Sequence, residues 1–425
     1  MLRLTKEGFW VALGQATAVV GSILGVRLLT ELLSPTAYGE LALGMTLASL
    51  VNQTVFGPLG NGLTRFYAPA VEQGDLGGYL VAARRLVVVA TVIVVLIIPL
   101  EVAGLLISGL IDWVIIISAA LIFAVLSGYN SILSGIQNAA RQRSIVALHQ
   151  GAASWMRILV AAGFILLLGS ASSVAMLGYV VAIVMVLGSQ YAFFRKTISV
   201  HISCENVTID WRDRVLKYSW PMAITGVASW GLLSSQLWAV KLFGTTSDVG
   251  YFSVLLQLGF TPLMLAGGIL TALITPIFFA RAGDGTDKQK VNIVAGNIIK
   301  FCVVAFIAVL IMTAIGGVFH DLVFSLFVAE KYRIFSHYLP FAILAGGVLQ
   351  VSICISIIVL TSTETKLLLP LNTVGNLIIA SINFGSTYLF GINGLFFSIV
   401  IGAFIHLVWN VYNARNVLKK NYNHT

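Results

Sequence analysis

Charge is scarce in this sequence. Only 10% of the residues are Asp, Glu, Lys or Arg, against about 25% in ordinary soluble domains, while 58% are hydrophobic. A chain so poor in charge needs a solvent that tolerates apolar surface, and the bilayer is one. Cysteine is nearly absent as well. Cys204, Cys302 and Cys354 share no close spacing and two of them lie in apolar segments, so neither a disulfide framework nor a metal knuckle follows. Acidic residues number 16 against 25 basic ones, which leaves a net charge of +9. The cations sit at the ends of apolar segments rather than in one basic stripe, which argues against a nucleic-acid partner. Also missing are a nucleophile–base arrangement, metal-ligand spacing and a phosphate-cradling glycine loop. The 40 glycines are spread through the apolar segments, where they permit close packing and kinks. An enzyme is not expected. The one sizeable outer loop, Gly317 to Ser336, offers only His320, Asp321 and Glu330.

What is present is a series of long apolar runs. A spanning helix needs about 20 largely apolar residues. Segments of that kind fall near 8–33, 38–63, 84–108, 111–137, 145–169, 172–194, 218–243, 249–279, 292–316, 337–361, 367–389 and 394–414. The first continues too far to be a signal peptide and reads as a retained helix. The stretch from Val318 to Val328 is apolar but short, and reads as re-entrant or interfacial.

Lysine and arginine crowd into every second gap between these segments. Only Lys331 and Arg333 fall in the alternate gaps, and four cations, Arg27, Arg157, Lys241 and Lys300, lie inside segments. Basic loops stay cytoplasmic, so both termini are expected on the cytoplasmic side of the membrane. The longest gap, 195–217, sits at mid-chain and reads as a cytoplasmic linker between six-helix lobes at 1–194 and 218–425. The fold class is thus an all-α polytopic membrane protein of about 12 transmembrane helices. Its two lobes are related by a pseudo-two-fold axis along the membrane normal, since both start inside.

The halves also match in sequence. The gap after the first segment reads Ser34-Pro-Thr-Ala-Tyr-Gly-Glu-Leu-Ala-Leu43, and that after the seventh reads Thr245-Thr-Ser-Asp-Val-Gly-Tyr-Phe-Ser-Val254. Gly39 aligns with Gly250, and the same offset sets Leu63-Thr64 on Ile274-Thr275. Internal repeats of this kind build many transporters.

Three stretches carry a resemblance. Arg27-Leu-Leu-Thr-Glu-Leu-Leu-Ser-Pro-Thr-Ala-Tyr-Gly39 and Gly62-Leu-Thr-Arg-Phe-Tyr67 resemble the ends of the first and second helices in polysaccharide-export flippases. Phe324-Ser-Leu-Phe-Val-Ala-Glu-Lys-Tyr332 is similar to the segment before the tenth helix, with Ala329 where Gly is usual. These flippases, of the O-antigen type, belong to the multidrug/oligosaccharidyl-lipid/polysaccharide (MOP) exporter superfamily. The resemblance implies two six-helix lobes in a V, with a cavity lined by helices 1, 2, 7 and 8. It also implies the transfer of undecaprenyl-pyrophosphate-linked oligosaccharide from the cytoplasmic to the outer leaflet, for O-antigen, capsule or exopolysaccharide synthesis.

Such a cargo asks for a wet, partly cationic cavity, because arginine and lysine neutralise phosphate by charge-assisted hydrogen bonds. The candidate cations are Arg27, Arg65, Arg157, Lys241 and Lys300. Arg27 has Glu31 at i+4, and snorkelling to the interface is its alternative role. Arg65 equally suits a positive-inside anchor, and Lys300 a helix-end residue. Arg157 lies near the centre of its span, with His149, Gln150 and Ser154 within two turns, and should face a cavity or a partner. Trp230, Ser234, Trp238 and Lys241 share a helix face, so Trp230 and Trp238 are candidates for stacking on sugar, or for an aromatic belt. Gln15 with Ser22, and Asn372, Asn376 and Asn383, form polar stripes that suit either a hydrated wall or inter-helix bonding. No cofactor is expected. If transport is coupled to H+ or Na+, Glu31, Glu101 and, less centrally, Asp112 are the available carboxylates. Expected partners are the lipid-linked oligosaccharide, membrane lipids, and a polysaccharide polymerase with its chain-length machinery; the chain itself is expected to be a monomer. The rival function is a multidrug or cation antiporter of the same superfamily. Such proteins use membrane-embedded carboxylates, whereas the central charges here are basic.

Overall fold

The computed structural model describes residues 2–197, 210–283, 287–362 and 364–422; the side chains of 1–13, 15, 16, 197, 272, 365 and 420–422 fall outside that description. Cys204, the acidic Glu205 and most of the expected linker lie outside the described residues. So do the side chains of Arg3, Lys6 and Gln15.

The described residues form twelve long helical runs and no strand. They are α1 (Leu2–Leu32), α2 (35–72), α3 (Leu76–Ile107), α4 (Asp112–Ala139), α5 (Arg143–Leu168), α6 (Ser172–Thr197), α7 (Trp211–Phe243), α8 (Thr246–Ala282), α9 (Lys288–Val318) and α10 (Leu339–Thr361). A π turn, Leu371–Gly375, then leads into Asn376–Tyr422, which breaks at Gly391 (φ 62°) into α11 (376–390) and α12 (392–422). Eight runs, the last long enough to hold two, are long and apolar enough to cross a membrane by length and composition. The interfacial piece is a short helix, His320–Phe327, with Phe324 buried and Leu322 and Leu326 exposed.

The helices run further than the apolar segments do. α2 continues to Glu72 and α3 starts at Leu76, so Arg65, Arg84 and Arg85 lie within helices rather than in a gap. The reason is physical. Hydrophobicity marks the hydrocarbon core, whereas backbone hydrogen bonding carries a helix on into the headgroup zone, where arginine is welcome.

The chain divides into two compact units, 1–230 and 231–425, and the division falls inside α7. In the first unit α1 packs on α5, α2 on α4, α3 on α4, and α4 on α6. The α1–α5 contact is close because Gly14, Gly21 and Gly25 of α1 face Ala147, Trp155 and Ile158. In the second unit α8 packs on α10, α9 on α10, and α10 on α12. Three of the first unit's pairings thus recur six helices later.

The repeat extends to local detail. Ser34 caps α2 by accepting from the Ala37 N–H, and Thr245 caps α8 by accepting from the Asp248 N–H, both at the offset of 211 that relates Gly39 to Gly250. Each helix then contains a π turn, Asn52–Phe56 in α2 and Leu256–Phe260 in α8. Each π turn is followed by an X-Pro pair, Gly57-Pro58 or Thr261-Pro262. Proline lacks the N–H that would close the next regular turn, and the wide turn absorbs the defect.

Between cap and π turn the helix is 17 residues in the first unit and 10 in the second. The missing seven amount to about two turns, so the facing side chains keep their direction. Beyond the π turns the offset is therefore 204, and Leu63-Thr64 does not correspond to Ile274-Thr275 as the constant offset required.

Each unit also holds a buried polar clasp at the equivalent helix pair. Between α4 and α6, Asn130 donates to Gln190, whose own amide donates to Ser134 Oγ and Gln137 Oε1, both at 2.9 Å. Between α10 and α12, Asn410 donates to Ser352 Oγ at 2.9 Å, and Ser352 Oγ lies 2.8 Å from His406 Nδ1. Gln190, Ser352, His406 and Asn410 are all buried. Cys302 and Cys354 lie in the α9–α10 core as small apolar fillers.

Candidate functional site

Arg157 is the most demanding charge in the chain. It lies 14 residues into α5, roughly 21 Å from one end and roughly 17 Å from the other. The α5 face bearing Ala147, Trp155 and Ile158 is taken up by α1. Arg157 is directed to α6 instead, with its guanidinium carbon 5.3 Å from the centre of the buried Tyr179 ring. Its Nε is buried and makes no hydrogen bond, and among the described residues no carboxylate lies within ion-pair distance.

The balance is unfavourable. A cation–π contact contributes about 0.5–2 kcal/mol, whereas an arginine at the centre of a membrane helix costs about 2.5–3.5 kcal/mol even on insertion scales. The ring does not offset the charge, so the guanidinium is left with capacity for an anion or for water. The surrounding polar groups do not supply that anion. His149 is tied to the Ile145 carbonyl (2.8 Å) and to Ser189 (3.2 Å), and Ser154 donates to the Gln150 carbonyl.

The other candidate cations differ in setting. Arg27 pairs with Glu31 at 2.6 Å near the end of α1, both half-exposed, so each neutralises the other. Arg65 is exposed in the second half of α2. Lys241 donates to the Thr246 hydroxyl across the α7–α8 turn (2.5 Å), and Lys300 is exposed on α9, thirteen residues into that helix. Arg157 alone in this group combines mid-helix depth with a buried, unbonded nitrogen.

The aromatic candidates are partly committed to packing. Trp230 donates its indole N–H to the Thr46 carbonyl of α2 at 2.7 Å, which anchors α7 there. Trp238 is half-buried, and Ser234 is buried. Of the asparagine stripe, Asn383 bonds between helices, donating to Ser235 and accepting from Ser398, while Asn376 donates to the Asn372 carbonyl one turn back in its own helical run. Of the carboxylates, Glu101 accepts from Ser118 at 3.2 Å, with its other oxygen buried and unbonded. Asp112 is exposed at the start of α4.

A second cluster was not singled out from sequence. Where α7 begins, Trp211 is fully buried and donates its indole N–H to Asp75 Oδ2 at 2.5 Å, while Asp75 Oδ1 caps α3 through the Gly78 N–H. Tyr79 and Phe66 pack against the same indole, and the Tyr79 hydroxyl donates to the Leu63 carbonyl at 2.7 Å. The clasp locks the start of α7 onto the α2–α3 turn. One turn on, Asp213 bonds Lys217 at 2.8 Å, and that hydrogen bond holds the Lys217 ammonium above its ordinary range. The only sequence signal for this cluster was a Trp beside basic residues after a long polar gap.

Near His320–Phe327, His320 Nδ1 touches both Ser336 Oγ (3.1 Å) and Asp321 Oδ1 (3.1 Å), and Ser336 donates to Asp321. A nucleophilic triad needs the two ring nitrogens to face different partners. This histidine uses one nitrogen for both, so the cluster is a local side-chain hydrogen-bond network and not a triad. No group of three or more metal-binding side chains occurs among the described residues.

The sequence matches no family model and no curated protein. Solved structures do match the fold along almost the whole chain. An inward-facing multidrug resistance MATE family transporter of the MOP superfamily superposes with a TM-score of 0.72 at 15% identity, over 95% of this chain and 96% of that one. An outward-facing MATE family transporter gives 0.62 at 16% identity, over 97% of each chain. A variant of the Vibrio cholerae MATE transporter VcmN gives 0.63 at 16% identity, over 98% of this chain and 96% of that one. This chain shares the fold of these solved structures, an all-α arrangement of twelve transmembrane helices in two lobes.

Proposed function

We propose that this chain is a multi-pass membrane transporter working by alternating access, and that its cargo is an anionic lipid-linked saccharide of the undecaprenyl-pyrophosphate class. The fold supports the transporter reading, since the solved structures that share it are transporters. Arg157 carries the choice of cargo. It is an uncompensated guanidinium at mid-helix depth, with room for an anion and none supplied by the protein. The carboxylate supply points the same way: Glu31 is paired with Arg27, so among the described side chains of α1 no embedded acid is left over for a cationic drug. On this reading the head group moves from the cytoplasmic to the outer leaflet of a bacterial inner membrane, with both termini cytoplasmic. Glu101, with one unbonded oxygen, is the carboxylate best placed to carry H+ or Na+ if transport is coupled.

One observation favours a second reading. The matched solved structures are described as multidrug resistance transporters, which suits a multidrug or cation antiporter. The test is complementation in cells that lack their own lipid-linked saccharide flippase, run beside a drug-extrusion assay. Wild type is expected to restore surface glycan, and Arg157→Ala to abolish it. Drug extrusion that depends on this chain and survives Arg157→Ala, without glycan rescue, would replace the first reading with the second.

A further inference from the structure

The first unit carries a basic pocket that neither the cargo argument nor the repeat explains. A cavity of about 990 Å3 lies where α3 meets the start of α7. Its polar lining holds Arg84, Arg85 and Arg212, with Asp210 as the only carboxylate among the described residues. Asp210 is already engaged, accepting from the Asp213 N–H at 3.1 Å to cap α7. None of the three arginines has a carboxylate within ion-pair distance among the described residues. Val81, Val88 and Val89, one helical turn from Arg84 and Arg85 on α3, complete the lining with exposed apolar surface.

A second space adjoins the first. A groove of about 740 Å3 runs between α3, α4 and α6, lined by Val87, Leu126, Leu133, Leu187 and Gly188. Arg84 and Val88 line both spaces. Arg84 thus lines the apolar groove itself, with Arg85 and Arg212 in the cavity beside it, on a surface rich in exposed apolar side chains. A soluble anion would have no use for the groove, and a neutral lipid would leave the guanidiniums unmatched. The chemistry they jointly recognise is a phosphate attached to a hydrocarbon chain.

We propose that Arg84, Arg85 and Arg212 with the α3–α4–α6 groove form a binding site for an anionic membrane phospholipid, its phosphate on the arginines and one acyl chain in the groove. The site lies at the basic, cytoplasm-facing end expected from the charge pattern, where anionic headgroups attract basic residues. The bound lipid would fasten α3 to the Trp211 clasp. This proposal does not depend on the cargo.

The test uses the full-length chain in detergent, titrated with phosphatidylglycerol or with phosphatidylcholine of the same chain length, with thermal unfolding as readout. Wild type is expected to prefer phosphatidylglycerol, and each arginine replaced by Ala should lower that preference roughly fivefold. Gly188→Trp tests the groove: a Cβ at Gly188 meets nothing within 4 Å, so the ring can fill the space without disturbing the fold. That variant should bind phosphatidylglycerol at least tenfold more weakly with every arginine present. Arg84→Gln serves where the triple alanine variant fails to fold. An unchanged preference in Arg84→Gln or in the triple variant would overturn the proposal. So would an unchanged affinity in Gly188→Trp, or stabilisation by inorganic phosphate alone, which would mark a bare-anion site. Displacement of phosphatidylglycerol by a polyprenyl pyrophosphate at much lower concentration would reassign the site to that lipid.

Discussion

Gly346 of α10 lies directly against the backbone of Phe260, the last residue of the α8 π turn. A Cβ on Gly346 would fall 2.7 Å from the Phe260 carbonyl oxygen. In the first unit Gly128 of α4 meets Phe56, the last residue of the α2 π turn, and a Cβ there would fall 2.4 Å from its ring. The two units therefore seat their wide turns on the same device, a glycine in the central helix. Gly226 of α7 makes a third close approach: a Cβ there would fall 2.0 Å from the Gln53 carbonyl oxygen.

Gly346→Ala should accordingly destabilise the protein by about 1–3 kcal/mol, the usual cost of overpacking. Gly104→Ala is the matched control, because a Cβ there meets nothing within 4 Å. It should be neutral or stabilising by up to about 1 kcal/mol, from helix propensity alone. Thermal unfolding of the two purified variants checks both signs together. A Gly346→Ala protein as stable as wild type would mean that the π turn can shift freely.

Arg157 should show opposite effects on stability and on transport. Replacing a poorly compensated guanidinium with Leu removes a cost on the order of 2 kcal/mol, so Arg157→Leu should unfold at a higher temperature than wild type. The same variant should lose anionic-lipid transport. Arg157→Lys keeps the charge but not the bidentate geometry, and should fall between them. Paired melting and flipping assays on the three proteins test this, and a destabilised Arg157→Leu would mean that the charge is matched after all.

Trp230 offers a clean separation of two roles. Trp230→Phe keeps a ring but removes the N–H given to Thr46. If that bond is the residue's main contribution, stability should drop by about 1 kcal/mol, with transport intact once the protein is folded. A fully stable variant with impaired sugar-lipid transport would instead restore the stacking role. Circular-dichroism melts alongside a reconstituted transport assay distinguish the outcomes.

Gln190 serves three partners, Asn130, Ser134 and Gln137, in a buried setting. Gln190→Leu strands them, and an unsatisfied buried group costs about 1–3 kcal/mol. The substitution should therefore lower stability by about 3 kcal/mol or more. Double substitution of Gln190 and Gln137 by Leu should recover part of it. Denaturation of the single and double variants decides whether the clasp is a coupled network.

The twelve spans and the repeat were legible because both rest on periodic, local signals. Ser34 and Thr245 announce their helix starts through a hydroxyl beside the first turn, and the structure uses both as caps. Helix ends were less legible, since α2 and α3 pass from hydrocarbon to headgroup without changing conformation. The π turns left a trace in Gly57-Pro58 and Thr261-Pro262, but a proline alone does not say whether a helix kinks, stops or widens. The partner of Arg157 was out of reach for another reason. Tyr179 lies 22 positions on in a different helix, and only the packing of α5 on α6 joins them. The Asp75–Trp211 clasp likewise joins residues 136 positions apart.

The π turn sits nearer the far end of α2 than of α8, and this makes unequal levers of the two helices. Past its π turn α2 has an arm of 16 residues, while α8 has one of 22. At 1.5 Å per residue these measure roughly 24 Å and 33 Å, so a swing of about 10° moves their tips by about 4 Å and 6 Å. For the same angle, the tip of the second copy travels further.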